Sequence, residues 1–282
     1  MHRSRRAYMV CACVLLAIAL FVSATGICLA TPDHWADQWL SESQSRDLVK
    51  GYPDGSLQPD RSVTRAEFCT ILIRLLGEES AALAARRLPS YFSDVDLNYW
   101  AKGYLEVARE KGIFEGEDNR RASPDRNITR AEAVTMIDRC RLAMGAPLPS
   151  GSGRTFWDES DIPAWAREAV KRLSAGGVVE GDSDGRFHPH RNLSRAEAAT
   201  LAIRLLDLSG GRWDIAGTVI QVGSGASDLV LDVQGEEIRF SLNPTTVQVF
   251  SKNKRVPPVS LRKGQSVGLV FDEGQVSIIS VL

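Results

Sequence analysis

Thr64-Arg65-Ala66-Glu67, Thr129-Arg130-Ala131-Glu132 and Ser194-Arg195-Ala196-Glu197 are one tetrapeptide written three times, each copy 65 residues after the last. The same step relates Trp35, Trp100 and Trp165; Gly51, Gly116 and Gly181; Pro59, Pro124 and Pro189; and Arg61, Arg126 and Arg191. Self-similarity at a fixed period is the mark of a repeat architecture, in which a unit buries its apolar face against its neighbours rather than alone.

Two helical segments are predicted in each repeat. In the second copy Ala101, Tyr104, Leu105 and Ala108 follow the i, i+3, i+4, i+7 spacing of one buried face, and Gly112 is placed to end that helix in a left-handed turn. The third copy repeats this with Ala166, Ala169, Val170, Leu173 and Gly177, whereas the first has Ser43 and Asp47 where the others are apolar and Gly. The second helix follows the tetrapeptide, with stripes Phe68/Ile71/Leu72/Leu75, Ala133/Met136/Ile137/Cys140 and Ala198/Leu201/Ala202/Leu205. A helix of about 12 residues is marginal alone. These stripes must therefore pack on one another, and the expected fold is a mainly α repeat domain, a pseudo-threefold helical bundle with the three tetrapeptide helices at its centre.

Within the tetrapeptide, Thr or Ser followed three residues later by Glu is a capping box: the hydroxyl takes the third backbone N–H and the carboxylate reaches back to the cap's own N–H. The arginine is not explained this way, since a cation in the first turn opposes the helix dipole by about 0.3 to 1 kcal/mol. Two readings stand for Arg65, Arg130 and Arg195. Each pairs with a nearby carboxylate or stacks on a tryptophan, or each combines with the free N–H groups of the helix start to form an anion site.

Between the helices runs a turn-rich loop, Gly51-Tyr52-Pro53-Asp54-Gly55 in the first copy and Gly181-Asp182-Ser183-Asp184-Gly185 in the third. The second copy has Arg120 where Gly55 and Gly185 stand. The third loop imitates the start of a calcium-binding EF-hand, but its twelfth position is Arg191 rather than a bidentate Glu. His188 and His190 lack a third ligand at matching spacing, so no metal or cofactor site is read from the chain.

At 282 residues the chain has room for about two domains. His2-Arg3-Ser4-Arg5-Arg6, the apolar run Tyr8 to Val22 and Cys28-Leu29-Ala30 read as an export signal over residues 1–30, with retention of Met9 to Ala30 as a membrane anchor the alternative. Removing residues 1–30 takes away three arginines and no acid, moving the formal net charge from −1 to −4. That balance argues against a nucleic-acid partner. Of the five cysteines only Cys69 and Cys140 then remain, both on apolar helix positions and read as small buried side chains rather than a bridge.

After Ser209-Gly210-Gly211 the periodicity changes to alternation: Ile238/Phe240/Leu242, Val267/Leu269/Phe271, Thr218 to Val222 and Val276 to Val281. Five or six short strands are expected, forming a small all-β barrel of OB-like type. Lys252, Lys254 and Arg255 read as a basic loop, either solvated or touching an anionic polymer. This segment holds no His or Cys and its acids are scattered, so no enzyme is expected.

Phe92-Ser93-Asp94, His34-Trp35-Ala36, Gly51-Tyr52-Pro53-Asp54-Gly55 and the three tetrapeptides together resemble the S-layer homology family over about residues 32 to 207. The resemblance places modules at 31–77, 90–142 and 154–208, ahead of the β domain at 212–282. It implies a secreted protein held non-covalently at the cell wall or surface layer, with an anionic secondary cell-wall polymer, often carrying a pyruvylated sugar, bound in grooves between modules. Peptidoglycan itself is the alternative partner. On that analogy Arg65, Arg130 and Arg195 contact the anion, Gly51, Gly116 and Gly181 let the ligand approach backbone, and Trp35, Trp100 and Trp165 either line the grooves or fill cores. Because the first repeat lacks the Phe-x-Asp start and carries Ser43 and Asp47 in its first helix, and the third has one extra residue between Phe156-Trp157-Asp158 and Trp165, at least one groove is expected to bind poorly. A membrane-tethered protein crosslinking wall and membrane, and an extracellular carbohydrate-active enzyme, are the competing functions.

Overall fold

The computed structural model describes residues 34–147 and 150–282; residues 1–30, read from the sequence as an export signal, lie outside the described residues. Helices α1 (Asp37–Ser45), α2 (Arg65–Leu75), α3 (Glu79–Ala85), α4 (Lys102–Glu110), α5 (Arg130–Ala143), α6 (Ala164–Ala175) and α7 (Arg195–Leu208) precede seven strands. No helix among the described residues is long and apolar enough to cross a membrane.

Helices α2, α5 and α7 follow the three tetrapeptides, and each packs on the first helix of the following repeat: α2 on α4, α5 on α6, and α7 back on α1. The stripes read from periodicity are the buried faces. Phe68, Leu72, Ala133, Ile137, Cys140, Ala198, Ala202 and Leu205 are all fully buried, as are Ala101, Leu105, Ala108, Ala166 and Leu173 on the opposing helices. Cys69 and Cys140 are buried free thiols, and burial pushes both up to about 12, so they pack as small apolar side chains.

The backbone just before each tetrapeptide closes a ring. Val63 N donates to Leu193 O (2.9 Å), Leu193 N to Ile128 O (3.0 Å), and Ile128 N to Val63 O (3.0 Å). A second set holds each tetrapeptide arginine by its backbone: Arg65 N to Arg126 O (3.0 Å), Arg130 N to Arg191 O (2.9 Å) and Arg195 N to Arg61 O (2.9 Å). Donors that a helix start would otherwise leave without partners are thus spent on the neighbouring repeat.

The Phe-x-Asp segments serve this frame. The Asp94 carboxylate accepts from Ala122 N (2.7 Å) and Ser123 N (2.8 Å), and Asp158 accepts from Phe187 N (2.8 Å) and His188 N (2.7 Å). Phe92 and Phe156 are buried against the loop glycines. The Ala-rich segment after α2 forms α3, whose C-terminal end is held by the fully buried Lys102: its ammonium donates to Ala85 O (3.3 Å), Arg86 O (3.0 Å) and Leu88 O.

The C-terminal segment is a sheet of seven strands: β1 (Ile215–Val222), β2 (Asp228–Val233), β3 (Glu236–Ser241), β4 (Gln248–Ser251), β5 (Lys254–Val256), β6 (Ser266–Asp272) and β7 (Gln275–Val281). Its order is β3-β2-β1-β6-β7-β4-β5, antiparallel throughout except for the β4–β7 pair. Seven strands replace the five or six expected, because the basic stretch is a hairpin rather than a loop. Lys252 and Asn253 take φ of 51° and 62° and make the two-residue turn between β4 and β5 without a glycine. One face encloses Val219, Leu229, Leu231, Val249, Val267, Leu269 and Ile279. The other packs Phe250, Val270 and Ile278 with Trp213.

That second face meets α1. Buried Gln38 donates from Nε2 to Ser280 Oγ (2.8 Å), and fully buried Glu42 takes a two-pronged contact from Arg212 (3.0 and 3.1 Å). Arg212 is also stacked between Trp39 (4.5 Å) and Trp213 (4.4 Å).

Candidate functional site

Each tetrapeptide opens its helix with a closed capping box. Thr64 Oγ1 accepts from Glu67 N (3.2 Å) while Glu67 Oε2 accepts from Thr64 N (2.8 Å). The pairs Thr129/Glu132 (3.3 and 2.9 Å) and Ser194/Glu197 (3.2 and 2.9 Å) do the same. One carboxylate oxygen is thereby committed to the helix start. In Glu132 and Glu197 the other meets an arginine of the preceding repeat.

Arg65 is buried, and its Nη1 donates to Glu132 Oε1 at 2.7 Å while Nε donates to Ala122 O at 2.8 Å. Its guanidinium lies 4.8 Å over Phe114. Arg130 repeats the pattern one module on, with Nη1 at 2.8 Å from Glu197 Oε1, Nη2 at 3.6 Å from Asp182 Oδ1, and the Phe187 ring at 5.3 Å. The tetrapeptide arginine of one repeat therefore clamps the tetrapeptide glutamate of the next. Arg126 and Arg191, the fifth landmark of the 65-residue register, hold the same glutamates from outside, each with Nη2 at 2.6 Å.

A second acid completes each of these two clusters. Glu117 Oε1 lies 3.0 Å from Arg126 and 3.8 Å from Arg65, and Asp182 lies 3.3 Å from Arg191. Burial alone would raise the Glu132 carboxyl, but the hydrogen bonds from Arg126 and Thr129 and the charge of Arg65 outweigh it and hold the group at about 2. Glu197 is lowered by the same contest. Burial pulls the Arg130 guanidinium down against the charges of Glu197 and Asp182.

The third junction differs. Arg195 Nε donates to Leu57 O (2.8 Å), Nη2 donates to Lys50 O (2.9 Å), and the guanidinium lies 4.6 Å over the Tyr52 ring. No carboxylate among the described residues is within ion-pairing distance of it. The register position of Glu117 and Asp182 is occupied here by Tyr52, and Glu67 is held only at 4.0 Å by Arg61 and at 3.4 Å by the Tyr52 hydroxyl. Arg61 also sits over the Tyr52 ring, at 4.8 Å. Two cations face two acids at the first two junctions; at the third, two cations face one.

The other expected contacts divide as follows. Trp35, Trp100 and Trp165 are 54%, 48% and 58% exposed, which removes the core reading for all three. Gly116 and Gly181 hold φ of +81° and +79°, and an added Cβ would lie 2.8 and 2.6 Å from the rings of Phe92 and Phe156. Their glycine is thus required by the fold whatever the ligand. Gly51, in the same register, is exposed and does not take the positive φ of the other two. One cleft of about 220 Å³ brings together Arg130, Gly181 and Trp35, a candidate residue of each class and one from each repeat. Among the described residues no group of three or more His, Cys, Asp or Glu is arranged to hold a metal.

The family model for the S-layer homology domain matches residues 32–69, 91–134 and 155–199. The chain carries three tandem S-layer homology domains. Over 179 residues it is 34% identical to an amylopullulanase of Thermoanaerobacterium thermosulfurigenes, covering 63% of this chain and 9% of that protein. It is 30% identical over 175 residues to the cellulosome-anchoring protein of Acetivibrio thermocellus, covering 62% of this chain and 38% of the relative. A surface layer protein of Brevibacillus choshinensis is 32% identical over 133 residues, covering 44% of this chain and 12% of its own length. The match thus spans well under half of each of these relatives. An enzyme, an anchoring protein and a surface-layer protein have no single catalytic activity in common, so the similarity resides in the S-layer homology domains.

Proposed function

We propose that the S-layer homology domains anchor an exported protein to the bacterial cell wall by gripping an anionic secondary cell-wall polymer, and that the junction of Arg195, Arg61 and Tyr52 is the principal grip. The observation that carries this is the charge imbalance. Arg65 and Arg130 are already neutralised by carboxylates of the next repeat, whereas Arg195 keeps two carbonyl partners and an aromatic face, and the one acid of this junction, Glu67, is met only by Arg61 at 4.0 Å. An incoming carboxylate or phosphate would supply the anion that the other two junctions build in.

A second reading has an observation of its own. The Arg130–Gly181–Trp35 cleft, at about 220 Å³, sets an indole beside ion-paired charges, a combination that suits a neutral sugar of the polymer. We also read the ring of hydrogen bonds and the cyclic helix packing as a pseudo-threefold axis. The β domain is read as a nearly closed barrel of OB-like type, supported by the approach of β3 to β7, which are not neighbours in the sheet order.

The experiment is cosedimentation of the full chain with purified sacculi before and after acid stripping of secondary polymers. Binding that disappears on stripping supports the reading. Undiminished binding to stripped sacculi moves the target to peptidoglycan and overturns it.

A further inference from the structure

A further concavity among the described residues lies outside the inter-repeat junctions. It is a cleft of about 1020 Å³ between the entry to α1, with His34 and Trp35, and the β4–β5 hairpin, with Lys252, Lys254 and Arg255. That volume is at the upper end of the roughly 300–1,000 Å³ of ordinary ligand sites. The three cations are exposed, and none has a carboxylate partner among the described residues, where Asp37 is the one acid lining the cleft. On the α1 side His34 Nδ1 accepts from Ala36 N at 3.1 Å, its Nε2 lies 3.4 Å from Asp60 Oδ1, and its ring is 5.6 Å from the half-exposed indole of Trp35. Trp35 also lines the Arg130–Gly181 cleft, so one indole is common to both openings.

We propose that this cleft is a second saccharide site, taking an acidic segment of the same wall glycan by stacking a ring on Trp35 and pairing its carboxylates or phosphates with Lys252, Lys254 and Arg255. The inference rests on the anchoring reading for the identity of the glycan. It gives the β domain a part in anchoring rather than the role of a passenger. The hairpin is suited to such a wall because its turn is short, and α1 is tied to the sheet by the buried Gln38–Ser280 and Glu42–Arg212 contacts, so the two walls are held at a set spacing. An exposed aromatic face opposite unpaired cations is the chemistry of an acidic sugar, since a neutral sugar needs no cations and a simple anion needs no indole.

The test is calorimetric titration of the full chain with tetragalacturonate as the acidic probe, with cellotetraose and tetraglutamate as the neutral and peptide counterparts. Tetragalacturonate is expected to bind in a salt-weakened manner, at least about tenfold more tightly than either counterpart. Changing Lys252, Lys254 and Arg255 together to Ser is expected to cost about tenfold or more with the melting temperature unchanged. In the wild-type chain the indole resonance of Trp35 is expected to shift during the titration, a readout that does not depend on any variant folding. Equal affinity in the triple variant, an unmoved Trp35 resonance, or tetraglutamate binding as tightly as tetragalacturonate would overturn the proposal. Arg195→Ala separates the two readings on sacculi. A hairpin effect lost while Arg195 dependence persists overturns this inference alone, and the reverse overturns the Arg195 junction alone.

Discussion

Replacing Tyr52 by Glu should convert the third junction into a copy of the other two. At those junctions the residue in register is an acid, with Glu117 Oε1 at 3.8 Å from Arg65 and Asp182 Oδ1 at 3.6 Å from Arg130. A carboxylate at position 52 would meet Arg195 in the same way and occupy the place proposed for the ligand's charge. A ligand anion held about 5 Å from it would be repelled by roughly 3 kcal/mol at an effective dielectric near 20, and solvent at the rim would cut this to about half. Affinity should therefore fall about tenfold or more, with a further loss from the aromatic face that now lies 4.6 Å from Arg195. Stability should hold or rise, because Arg195 gains an internal partner. Cosedimentation with sacculi over a range of protein concentration reads the affinity, and thermal melting reads the fold. Tyr52→Phe, which keeps the ring, should bind nearly as the parent does. If Tyr52→Glu melts like the parent and binds sacculi equally well, the charge imbalance at Arg195 has no part in binding.

Arg65→Ala and Arg130→Ala should act on folding first, each costing about 1.5–3 kcal/mol in urea denaturation by removing a charge-assisted hydrogen bond from a half-buried glutamate that keeps only Arg126 or Arg191; a loss below about 0.5 kcal/mol would contradict the clamp. Ser43 is fully buried in α1 and its hydroxyl has no hydrogen-bond partner among the described residues, whereas Ala108 and Leu173 stand at its register in the other repeats. Ser43→Ala should stabilise by about 1 kcal/mol, read as a raised denaturation midpoint at unchanged slope. Acid should weaken the repeat domain through Glu132. Its folded carboxyl titrates at about 2 against an ordinary 4.5, so its contribution is present above about 4.5 and disappears as pH falls towards 2. The lost stability is at most about 3 kcal/mol, and Glu132→Gln should flatten that part of the pH–stability curve.

The parts legible in the sequence were local ones. The tetrapeptide announces its capping box because cap and carboxylate are three residues apart, and the apolar stripes of α2, α4, α5, α6 and α7 are visible at helical spacing. Family membership followed from the same short motifs. The clamp was not legible, since Arg65 and Glu132 are 67 residues apart and meet only once the repeats pack in a cycle. A signal was nevertheless present: Arg61, Arg126 and Arg191 keep the register, and the second and third repeats follow their loop glycine with Glu117 and Asp182 where the first has Tyr52. The tryptophans read equally well as core or surface, because their side chains belong to the helix entry and no periodicity covers them. The β4–β5 hairpin was hidden by its turn, in which Lys252 and Asn253 adopt left-handed backbone without the glycine that usually marks it. Arg120 similarly stands at φ 57° where the sister loops have Gly55 and Gly185.

The most direct measurement is a crystal structure of the full chain with an acid-released fragment of the secondary wall polymer. An anionic group of the fragment is expected within hydrogen-bonding distance of the Arg195 guanidinium, beside Tyr52 and Arg61, with the Arg65–Glu132 and Arg130–Glu197 pairs intact. A fragment whose anionic group instead displaces Glu132 or Glu197 from its arginine, leaving Arg195 bound only to its two carbonyls, would contradict the proposed grip.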